Sequence, residues 1–260
     1  MALLAQLTDT HIVAKRSTGD TASYLADALR ALDGLETRPD AIVVTGDLVD
    51  RPDPDAYARF AEIMASASAP WFAIPGNHDD RRLMQRRLPA ESIGTIVDGR
   101  ATVDALAAGI RVIALDVTRD PHPGGALEPS ALARLAALLD EAPGTPTVIA
   151  MHQPPYAALR VLDLLRFPGA PDLSELVARS PQVGRVICGH VHCITHAAIG
   201  GALAMTAPST APQRVPEIFE PGLRIRRERA GFATHAYDPA RGGWSSVVYR
   251  RDDDGRYELV

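Results

Sequence analysis

The fold is decided by the stretch Ala41-Ile42-Val43-Val44-Thr45-Gly46-Asp47-Leu48-Val49-Asp50, in which a short apolar run leads into a glycine and an acid. A short run of mostly β-branched residues that ends at a turn residue is typical of a buried strand. Glycine lets the chain bend sharply where that strand leaves the sheet. We therefore place Asp47 at the carboxyl end of a central strand, where open α/β sheets bind ligands. One such acid is more often a turn or capping residue, so this interpretation depends on the rest of the chain.

Strand and helix patterns alternate along most of the chain. Strands are predicted at 3–7, 42–44, 71–74, 147–151 and 183–188, with a hairpin at 101–107 and 110–115. Helical spacing of apolar residues predicts helices at 21–35, 55–67, 81–88 and 129–139, and a further helical region between 151 and 183. Four more strands, at 194–199, 201–206, 232–237 and 244–249, follow Gly189. This order predicts an α/β fold with two packed sheets flanked by helices.

We expect residues 1–260 to form one domain. Within it, 208–229 is rich in proline and arginine and is interpreted as a loop or cap, and 230–260 as C-terminal strands.

The composition is that of an ordinary globular protein. Hydrophobic residues make up 46% and charged residues 23% of the chain, and the formal net charge is −5. The acidic balance argues against binding to nucleic acid. Two cysteines are too few for a disulfide framework, and no apolar run approaches the roughly 20 residues of a membrane helix. Met1 is followed directly by a strand pattern, so we expect no signal peptide, no membrane contact and a cytoplasmic location.

Acids and histidines recur where the predicted strands end. The motifs are D-x-H at 9–11, G-D at 46–47, G-N-H-D at 76–79, a histidine at 152 and G-H-x-H at 189–192. In an extended chain residues i and i+2 point to the same side, so Asp9 with His11, and His190 with His192, each offer two donors to one point. Carboxylate oxygens and imidazole nitrogens bind divalent transition metals. Each motif is weak alone, but five in succession predict a metal site at the strand ends.

These motifs, in this order, resemble the signature of the calcineurin-like metallophosphoesterase superfamily, over residues 1 to about 210. The runs Ile-Pro-Gly-Asn-His-Asp-Asp and Cys-Gly-His-x-His make the chain most similar to bacterial class III cyclic nucleotide phosphodiesterases and the related glycerophosphodiesterases. The resemblance implies a four-layer α/β/β/α sandwich of two mixed sheets. It also implies a binuclear metal-dependent phosphodiesterase that hydrolyses cyclic nucleotides or glycerophosphodiesters by attack of a hydroxide bridging the metals. A homo-oligomer, dimeric or higher, is implied as well.

The resemblance further implies which residues hold two divalent metal ions. Asp9, His11, Asp47 and His192 are expected to bind the first ion, and Asp47, Asn77, His152 and His190 the second. A carboxylate shared by both ions is reasonable because two cations roughly 3.5–4 Å apart repel each other strongly. Mixed nitrogen and oxygen donors accept Mn, Fe, Zn or Co, so the metal identity stays open.

Three further residues are assigned to catalysis or substrate binding. His78 is expected to contact the phosphate, together with Asn77, and to protonate the leaving oxygen; the alternative is a structural histidine beside the ligands. Either Asp50 or Asp79 is expected to orient His78, and Asp50 is assigned because residues 46–51 echo the G-D-x-x-D-R-G of related protein phosphatases. His122, in a loop after a strand, is a candidate substrate contact.

Other conspicuous residues are interpreted structurally or stay open. Cys188 and Cys193 are predicted to be buried thiols rather than ligands, and His196 and His235 to be structural. Four arginines, Arg81, Arg82, Arg86 and Arg87, form either a solvated helix face or a means of attracting anionic substrates. Arg224, Arg226, Arg227 and Arg229 are interpreted as a solvated strand or interface.

Three alternative functions are weighed against the phosphodiesterase. A phosphomonoesterase on the same fold would differ only in pocket shape. A nuclease or DNA-repair subunit is disfavoured by the acidic charge. A non-catalytic scaffold would have lost metal ligands, whereas all seven are present. Specificity is expected to reside in the loops at 15–20, 122–125, 156–168 and 208–229.

Overall fold

A computed structural model describes residues 1–15, 20–97, 99–158, 167–216, 225–241 and 243–260. In chain order its strands are β1 (Ala2–Leu7), β2 (Ala41–Val44), β3 (Trp71–Ala73), β4 (Thr95–Val97), β5 (Arg100–Ala107), β6 (Ile110–Leu115), β7 (Thr118–Arg119), β8 (His122–Gly125), β9 (Thr147–Met151), β10 (Val183–Cys188), β11 (Thr195–Ile199), β12 (Ala202–Thr206), β13 (Gln213–Pro216), β14 (Ile225–Glu228), β15 (Gly231–Asp238), β16 (Gly243–Arg251) and β17 (Tyr257–Leu259). Its helices are α1 (Ala22–Asp33), α2 (Pro54–Met64), α3 (Arg81–Arg87), α4 (Ala90–Ile93), α5 (Pro129–Glu141) and α6 (Ala170–Ala178), with a 3-10 turn at Pro239–Arg241.

The long strands form two mixed sheets. The first has the order β17-β16-β15-β1-β2-β3, and the second the order β11-β12-β10-β9-β6-β5-β4. Strands β1, β2 and β3 run parallel, as do β6, β9, β10 and β12. Two ribbons, β7–β8 and β13–β14, are antiparallel pairs outside these sheets.

Alternation along the strands creates three apolar layers. Leu7 and Val44 face outward from the first sheet and pack with buried residues of α1 and α2, such as Leu29 and Phe60. Leu4, three residues before Leu7, faces inward and belongs to the layer between the sheets, together with Val43, Ala41, Val148, Ala150 and Ile187. On the far side of the second sheet, α5 and α6 pack over β6, β9 and β10. Because side chains alternate across each strand, this period of two produces the four-layer α/β/β/α sandwich.

Local signals set where the helices near the strand ends begin. The side chain of Asp53 accepts a hydrogen bond from the amide of Asp55, and Pro54 occupies the first turn of α2. Asp80 caps α3 in the same way by accepting from the amide of Leu83. Helix α3 therefore begins immediately after the G-N-H-D motif, which places its first turn next to that loop.

The parallel strands bring the motif-bearing loops to one edge. Beyond β1 and β2 the two loops stay hydrogen-bonded to each other, from the amide of Asp9 to the carbonyl of Gly46 at 2.9 Å and from the amide of His11 to the carbonyl of Asp47 at 3.0 Å. The parallel pairing then reaches a bridge between Ile12 and Val49. This backbone cross-link holds the first two motifs as one unit.

The predicted fold class is confirmed, with differences at the ends of elements and in the short ones. The helix predicted at 55–67 ends at Met64, and the helical region expected before 183 is α6. Strands β4, β7, β8 and β17 and helix α4 were not predicted, since segments of two to four residues carry too little periodicity. Within 208–229 the structure has the ribbon β13–β14, while 217–224, including Arg224, lies outside the described residues. Among the described helices, none has the length and hydropathy needed to cross a bilayer.

Candidate metal centre

The structure brings the seven predicted ligands together where the two sheets meet. Donor atoms of Asp9, His11, Asp47 and His192 lie within 4.8 Å of one another, and so do those of Asp47, His152 and His190. Asn77 joins the second set, because its Oδ1 lies 3.2 Å from Nε2 of His152. The ligands follow strands of both sheets, so the centre exists only where the two sheets are packed together.

Asp47 is the residue common to both sets. Its Oδ2 lies 3.3 Å from Nε2 of His152 and 3.8 Å from Nε2 of His11. Its Oδ1 accepts a hydrogen bond from the amide of His78 at 2.8 Å. One carboxylate oxygen is therefore held by the backbone, and the other faces a histidine from each set.

Asp9 is held just as firmly. Its carboxylate accepts hydrogen bonds from the hydroxyl of Thr8 at 2.8 Å and from the amide of His190 at 3.1 Å. Its Oδ1 lies 3.3 Å from Nε2 of His192, which in turn lies 3.3 Å from Nε2 of His11. Sequence reasoning overlooked Thr8, whose place directly before the D-x-H motif was the available signal.

The backbone at the centre is strained. Among the described residues, six that are not glycine have positive φ, and five of these are predicted ligands: Asp9 (51°), His11 (44°), Asp47 (51°), His190 (71°) and His192 (58°). The left-handed region costs such residues energy, so it persists only where surrounding contacts enforce it, often at functional sites. These backbone conformations direct the ligand side chains toward one point, at a cost in local stability.

Glycine is required beside Asp47. A Cβ on Gly76 would lie 2.1 Å from Oδ1 of Asp47, and a Cβ on Gly46, whose φ is +95°, would lie 2.5 Å from Nδ1 of His152. Since real Cβ atoms do not approach so closely, neither position accepts a side chain. The glycines of G-D and G-N-H-D let the ligand loops touch each other.

Charge interactions among the ligands shift their proton affinities in opposite directions. Burial alone would raise the pKa of Asp47, but the attraction of His152 and the hydrogen bond between them outweigh burial and hold that pKa well below its usual range. Burial lowers the pKa of His152, but the attraction of Asp47 prevails and raises it to about 9. His190 lacks such a direct partner, so burial, and then repulsion by His152, lower its pKa to about 4. The centre thus favours ionised carboxylates beside a cation.

The donor arrangement itself fits divalent metal ions. Nδ1 of His152 donates to the carbonyl of Thr45 at 2.7 Å, so in the neutral ring Nε2 carries a lone pair. That lone pair faces Oδ2 of Asp47 and Oδ1 of Asn77, both of which are also acceptors. Acceptors facing one another repel unless a proton or a metal cation lies between them. A buried set of carboxylates, imidazoles and one amide is the donor chemistry of a transition-metal site.

His78 is oriented by the main chain. Its Nδ1 donates to the backbone carbonyl of Asp50 at 2.8 Å, and its ring meets that of His11 edge-on at 4.8 Å. The predicted orienting residue is thus in contact with His78, but through its carbonyl rather than its carboxylate. The Asp50 carboxylate lies 3.7 Å from the otherwise unpartnered Nδ1 of His11. Donors of His11, Asp50 and His78 also fall within 4.8 Å of one another.

Asp79, the alternative considered for that role, links the loops instead. Its carboxylate accepts hydrogen bonds from the amides of Gly76 at 2.8 Å and Leu48 at 3.1 Å, and from the hydroxyl of Tyr57 at 3.0 Å. Burial, and then repulsion by Asp47, raise the pKa of Asp79 to about 7, although these donors lower it. The Tyr57 hydroxyl also accepts from the amide of Asp80 at 2.8 Å. This contact, which no motif signals, ties helix α2 to the G-N-H-D loop.

A cavity of about 1020 Å³ opens beside His78 and Asn77, with His122 at its rim. Its outer walls are the first turns of α3, the β4–β5 turn and the β7–β8 ribbon. His122 is exposed, and its Nδ1 accepts from the amide of Gly124 at 2.9 Å. The predicted substrate contacts therefore lie along one cavity.

The remaining conspicuous residues lie away from the centre. Cys188 and Cys193 are buried, and neither belongs to a candidate ligand group among the described residues. Burial raises the pKa of the Cys188 thiol. His235 is buried between Gln6 and Ser246, and burial lowers its pKa to about 3. His196 lies exposed in β11.

Comparison with known proteins links this geometry to a family. The family model described as "Calcineurin-like phosphoesterase" matches residues 3–193. A glycerophosphodiester phosphodiesterase GpdQ of Enterobacter lignolyticus is 32% identical over 226 residues, covering 84% of this chain and 80% of that protein. The 3',5'-cyclic adenosine monophosphate phosphodiesterase CpdA of Escherichia coli K12 is 31% identical over 219 residues, covering 82% of this chain and 78% of that protein.

Solved structures show the same fold at lower identity. A dimetal phosphatase from Danio rerio matches with a TM-score of 0.67 and 17% identity, covering 100% of this chain and 98% of that one. A purple acid phosphatase from yellow lupin matches with a TM-score of 0.65 and 13% identity, covering 99% of this chain and 52% of that one. These two similarities concern the fold alone.

Proposed function

The chain belongs to the calcineurin-like phosphoesterase family, and on that premise we propose that it is a binuclear metal-dependent phosphodiesterase acting on small organic phosphodiesters. Cyclic nucleotides and glycerophosphodiesters are the two candidate substrate classes, since relatives at 31–32% identity carry those names. The observation that carries the proposal is the position of Asp47, whose free carboxylate oxygen faces a histidine from each ligand set.

The residue roles follow from that arrangement. Asp9, His11, Asp47 and His192 would hold one divalent ion, and Asp47, Asn77, His152 and His190 would hold the other, with Mn, Fe, Zn or Co as candidates. When bound, such ions lower the pKa of a coordinated water and polarise the phosphoryl group. Asn77 contributes a neutral oxygen, which limits the negative charge that faces an anionic substrate.

His78 acts on the leaving group. Because its Nδ1 donates to the carbonyl of Asp50, the ring orientation is set and Nε2 is the atom available to the substrate. His78 borders the cavity. In the imidazolium form, which carries a proton on each ring nitrogen, its Nε2–H would contact the phosphate and pass that proton to the leaving oxygen, which returns the ring to its neutral Nδ1–H form. The Asp50 carbonyl keeps that nitrogen aimed, and Asp79 fixes the loop on which His78 lies.

Turnover by the Mn²⁺-loaded protein tests the reaction class. The set comprises bis(4-nitrophenyl) phosphate, 4-nitrophenyl phosphate, 3',5'- and 2',3'-cyclic AMP, and glycerophosphocholine. We expect the aryl diester to react much faster than the aryl monoester, and one natural diester to be preferred. A preference for the monoester would make the protein a phosphomonoesterase, the main alternative, and would contradict the proposal. Nuclease activity on DNA would favour the other enzymatic alternative.

Three further properties are part of the proposal. We expect residues 1–260 to act as one catalytic unit, since the ligands follow strands of both sheets. The homo-oligomer implied by the resemblance is tested by light scattering after size exclusion. The chain's two cysteines, too few for a disulfide framework, fit a reducing compartment, and we propose the cytoplasm. Cell fractionation checks that location.

A further inference from the structure

Four arginines, Arg81, Arg82, Arg86 and Arg87, follow the G-N-H-D motif, and of these only Arg81 and Arg82 line the cavity beside His78. Arg81 donates from Nε and Nη2 of its guanidinium to the buried carboxylate of Asp116, and from Nη2 to the carbonyl of Thr118 at 2.8 Å. Arg86 and Arg87 are exposed on α3 and do not border the cavity. Of the four, Arg82 alone borders the cavity without being tied to Asp116 or Thr118.

A second arginine reaches the cavity from another element. Arg119 lies in β7, where it is paired across the ribbon with His122, and both residues line the cavity. Within the part of the chain that the structure describes, the guanidinium groups of Arg82 and Arg119 have no hydrogen bond or ion pair. Arg100, by contrast, donates to the carbonyl of Thr118 at 2.8 Å. Two cationic groups are thus left for a ligand.

The acids around this cavity are mostly occupied. Asp79 is hydrogen-bonded by loop amides, and Asp80 caps α3. The carboxylate of Asp50 is beside His11 and Arg51. Asp120 is the exception among the described lining acids, being exposed and next to Arg119 in sequence. Among the described lining residues, two guanidinium groups, Arg82 and Arg119, and one carboxylate, Asp120, therefore have no hydrogen bond or ion pair.

We propose that Arg82 and Arg119 form a subsite for a second anionic group of the substrate, located beyond the phosphodiester that is cleaved. This proposal rests on the proposed function only in placing the phosphodiester at His78 and the metal ligands. Guanidinium groups bind carboxylate and phosphate through paired hydrogen bonds. Ile96, an exposed apolar side chain in the same wall, contacts the carbon linker between the two anionic groups. Of the two candidate substrate classes, this subsite favours glycerophosphodiesters with a carboxylate or phosphate on one ester group over cyclic nucleotides, which have no second anionic group, and it disfavours a quaternary ammonium group.

Three chromogenic substrates isolate the subsite. Methyl, 2-carboxyethyl and choline esters of 4-nitrophenyl phosphate share one leaving group and differ in the charge of the other ester. With the Mn²⁺-loaded protein we expect kcat/KM to fall in the order carboxyethyl, methyl, choline. Arg82→Gln and Arg119→Gln should each lower the carboxyethyl-to-methyl ratio of kcat/KM roughly three- to tenfold, mainly through KM. Asp120→Asn should raise that ratio.

Arg86→Gln is the matched control, because it removes the same charge from the same helix outside the cavity. It should leave the ratio unchanged. If Arg86→Gln lowered the carboxyethyl-to-methyl ratio of kcat/KM as much as Arg82→Gln does, the preference would come from the overall positive charge of α3 and not from a subsite. A wild-type preference for the choline ester, or an unchanged ratio in both cavity variants, would overturn the proposal.

Calorimetry keeps the subsite separate from the proposed function. The Mn²⁺-loaded protein is titrated with 3-phosphonopropionate and with ethylphosphonate, which carries no carboxylate. We expect tighter binding of 3-phosphonopropionate, and loss of that advantage in Arg82→Gln and Arg119→Gln. If no phosphodiester is turned over, the proposed function fails while this binding difference still decides the subsite. Equal binding of both phosphonates would overturn it.

Discussion

The ligand cluster and the cavity beside it are built in opposite ways. In the cluster, four of the seven predicted ligands are buried and three (Asn77, His190 and His192) are partly buried. The backbone of five of them has a left-handed conformation, and both carboxylates are held by an amide or a hydroxyl. In the cavity wall, Arg82 and His122 are exposed on a helix and a ribbon from distant parts of the chain. We therefore expect the constrained loops to carry the residues that act on the phosphodiester, and the surface elements to determine which substrates bind.

Backbone strain is a further difference between the ligand cluster and the cavity wall. Five ligands with positive φ each cost on the order of 1–3 kcal/mol, which neighbouring contacts must offset. The network of Asp79, with donors from two ligand loops and from α2, is one such contact. The cavity wall carries no comparable strain among its described residues. Substitutions in the cluster should therefore affect the reaction itself, and those in the wall should affect substrate choice.

The largest effect is expected at the junction of the two ligand sets. Asp47→Ala should reduce turnover to background and remove at least one metal ion, because it removes the carboxylate oxygen that faces both His11 and His152. Phosphodiester turnover together with metal content by plasma mass spectrometry measures both. Asp140→Ala, an exposed acid in α5, is the control. Wild-type turnover in Asp47→Ala would contradict the shared-ligand role.

His78 lies between the ligand cluster and the cavity, so its substitution tests whether it acts on the leaving group or binds metal. His78→Ala should retain both metal ions and slow turnover roughly 10²–10⁴-fold, because the proton donor to the leaving oxygen is lost. The loss should be greater for alkyl than for 4-nitrophenyl leaving groups, which depart with less need of a proton. A fall in metal content would instead make His78 a ligand.

A smaller effect is expected at Tyr57, which is hydrogen-bonded to Asp79 and Asp80 rather than to a predicted ligand. Tyr57→Phe removes the hydroxyl between the carboxylate of Asp79 and the amide of Asp80, leaving two buried polar groups short of a partner. We expect a loss of about 1–3 kcal/mol in the free energy of unfolding, and a several-fold lower kcat with metal content and KM unchanged. Tyr24→Phe removes a hydroxyl that has no hydrogen bond to the described residues, and it is the control. Equal stability losses in the two variants would contradict the linking role of Tyr57.

The smallest effect is expected at the cavity rim. His122→Ala should raise KM for glycerophosphodiesters and cyclic nucleotides by no more than about threefold and leave kcat near the wild-type value, since exposed contacts contribute little. Steady-state kinetics separate the two constants. A drop in kcat as large as that expected for His78→Ala would instead show that His122 takes part in the reaction, contrary to its assignment to the cavity wall.

Much of this molecule was predictable from local pattern. The apolar run before Asp47 predicted a strand, and the motifs after 7, 44, 73, 151 and 188 predicted ligands at strand ends, which is where the structure has them. That inference works because side-chain alternation and the shared edge of parallel strands follow from backbone geometry alone. The strand-end position of these residues therefore required no tertiary information, and their assignment as seven candidate ligands came from the resemblance of the motifs to a known family.

Other features were decided only by the tertiary structure. No pattern near Arg81 reveals that its guanidinium pairs with Asp116, leaving Arg82 to the cavity, and no motif links Tyr57 to Asp79. Likewise, Asp50 was predicted from a motif, but its contact with His78 is made by the carbonyl. Such contacts join elements 20 to 40 positions apart, and they depend on how helices and ribbons pack on the sheets. Sequence alone thus determined which residues are candidate metal ligands, while packing determined which arginines near the cavity are paired with acids and which have no partner among the described residues.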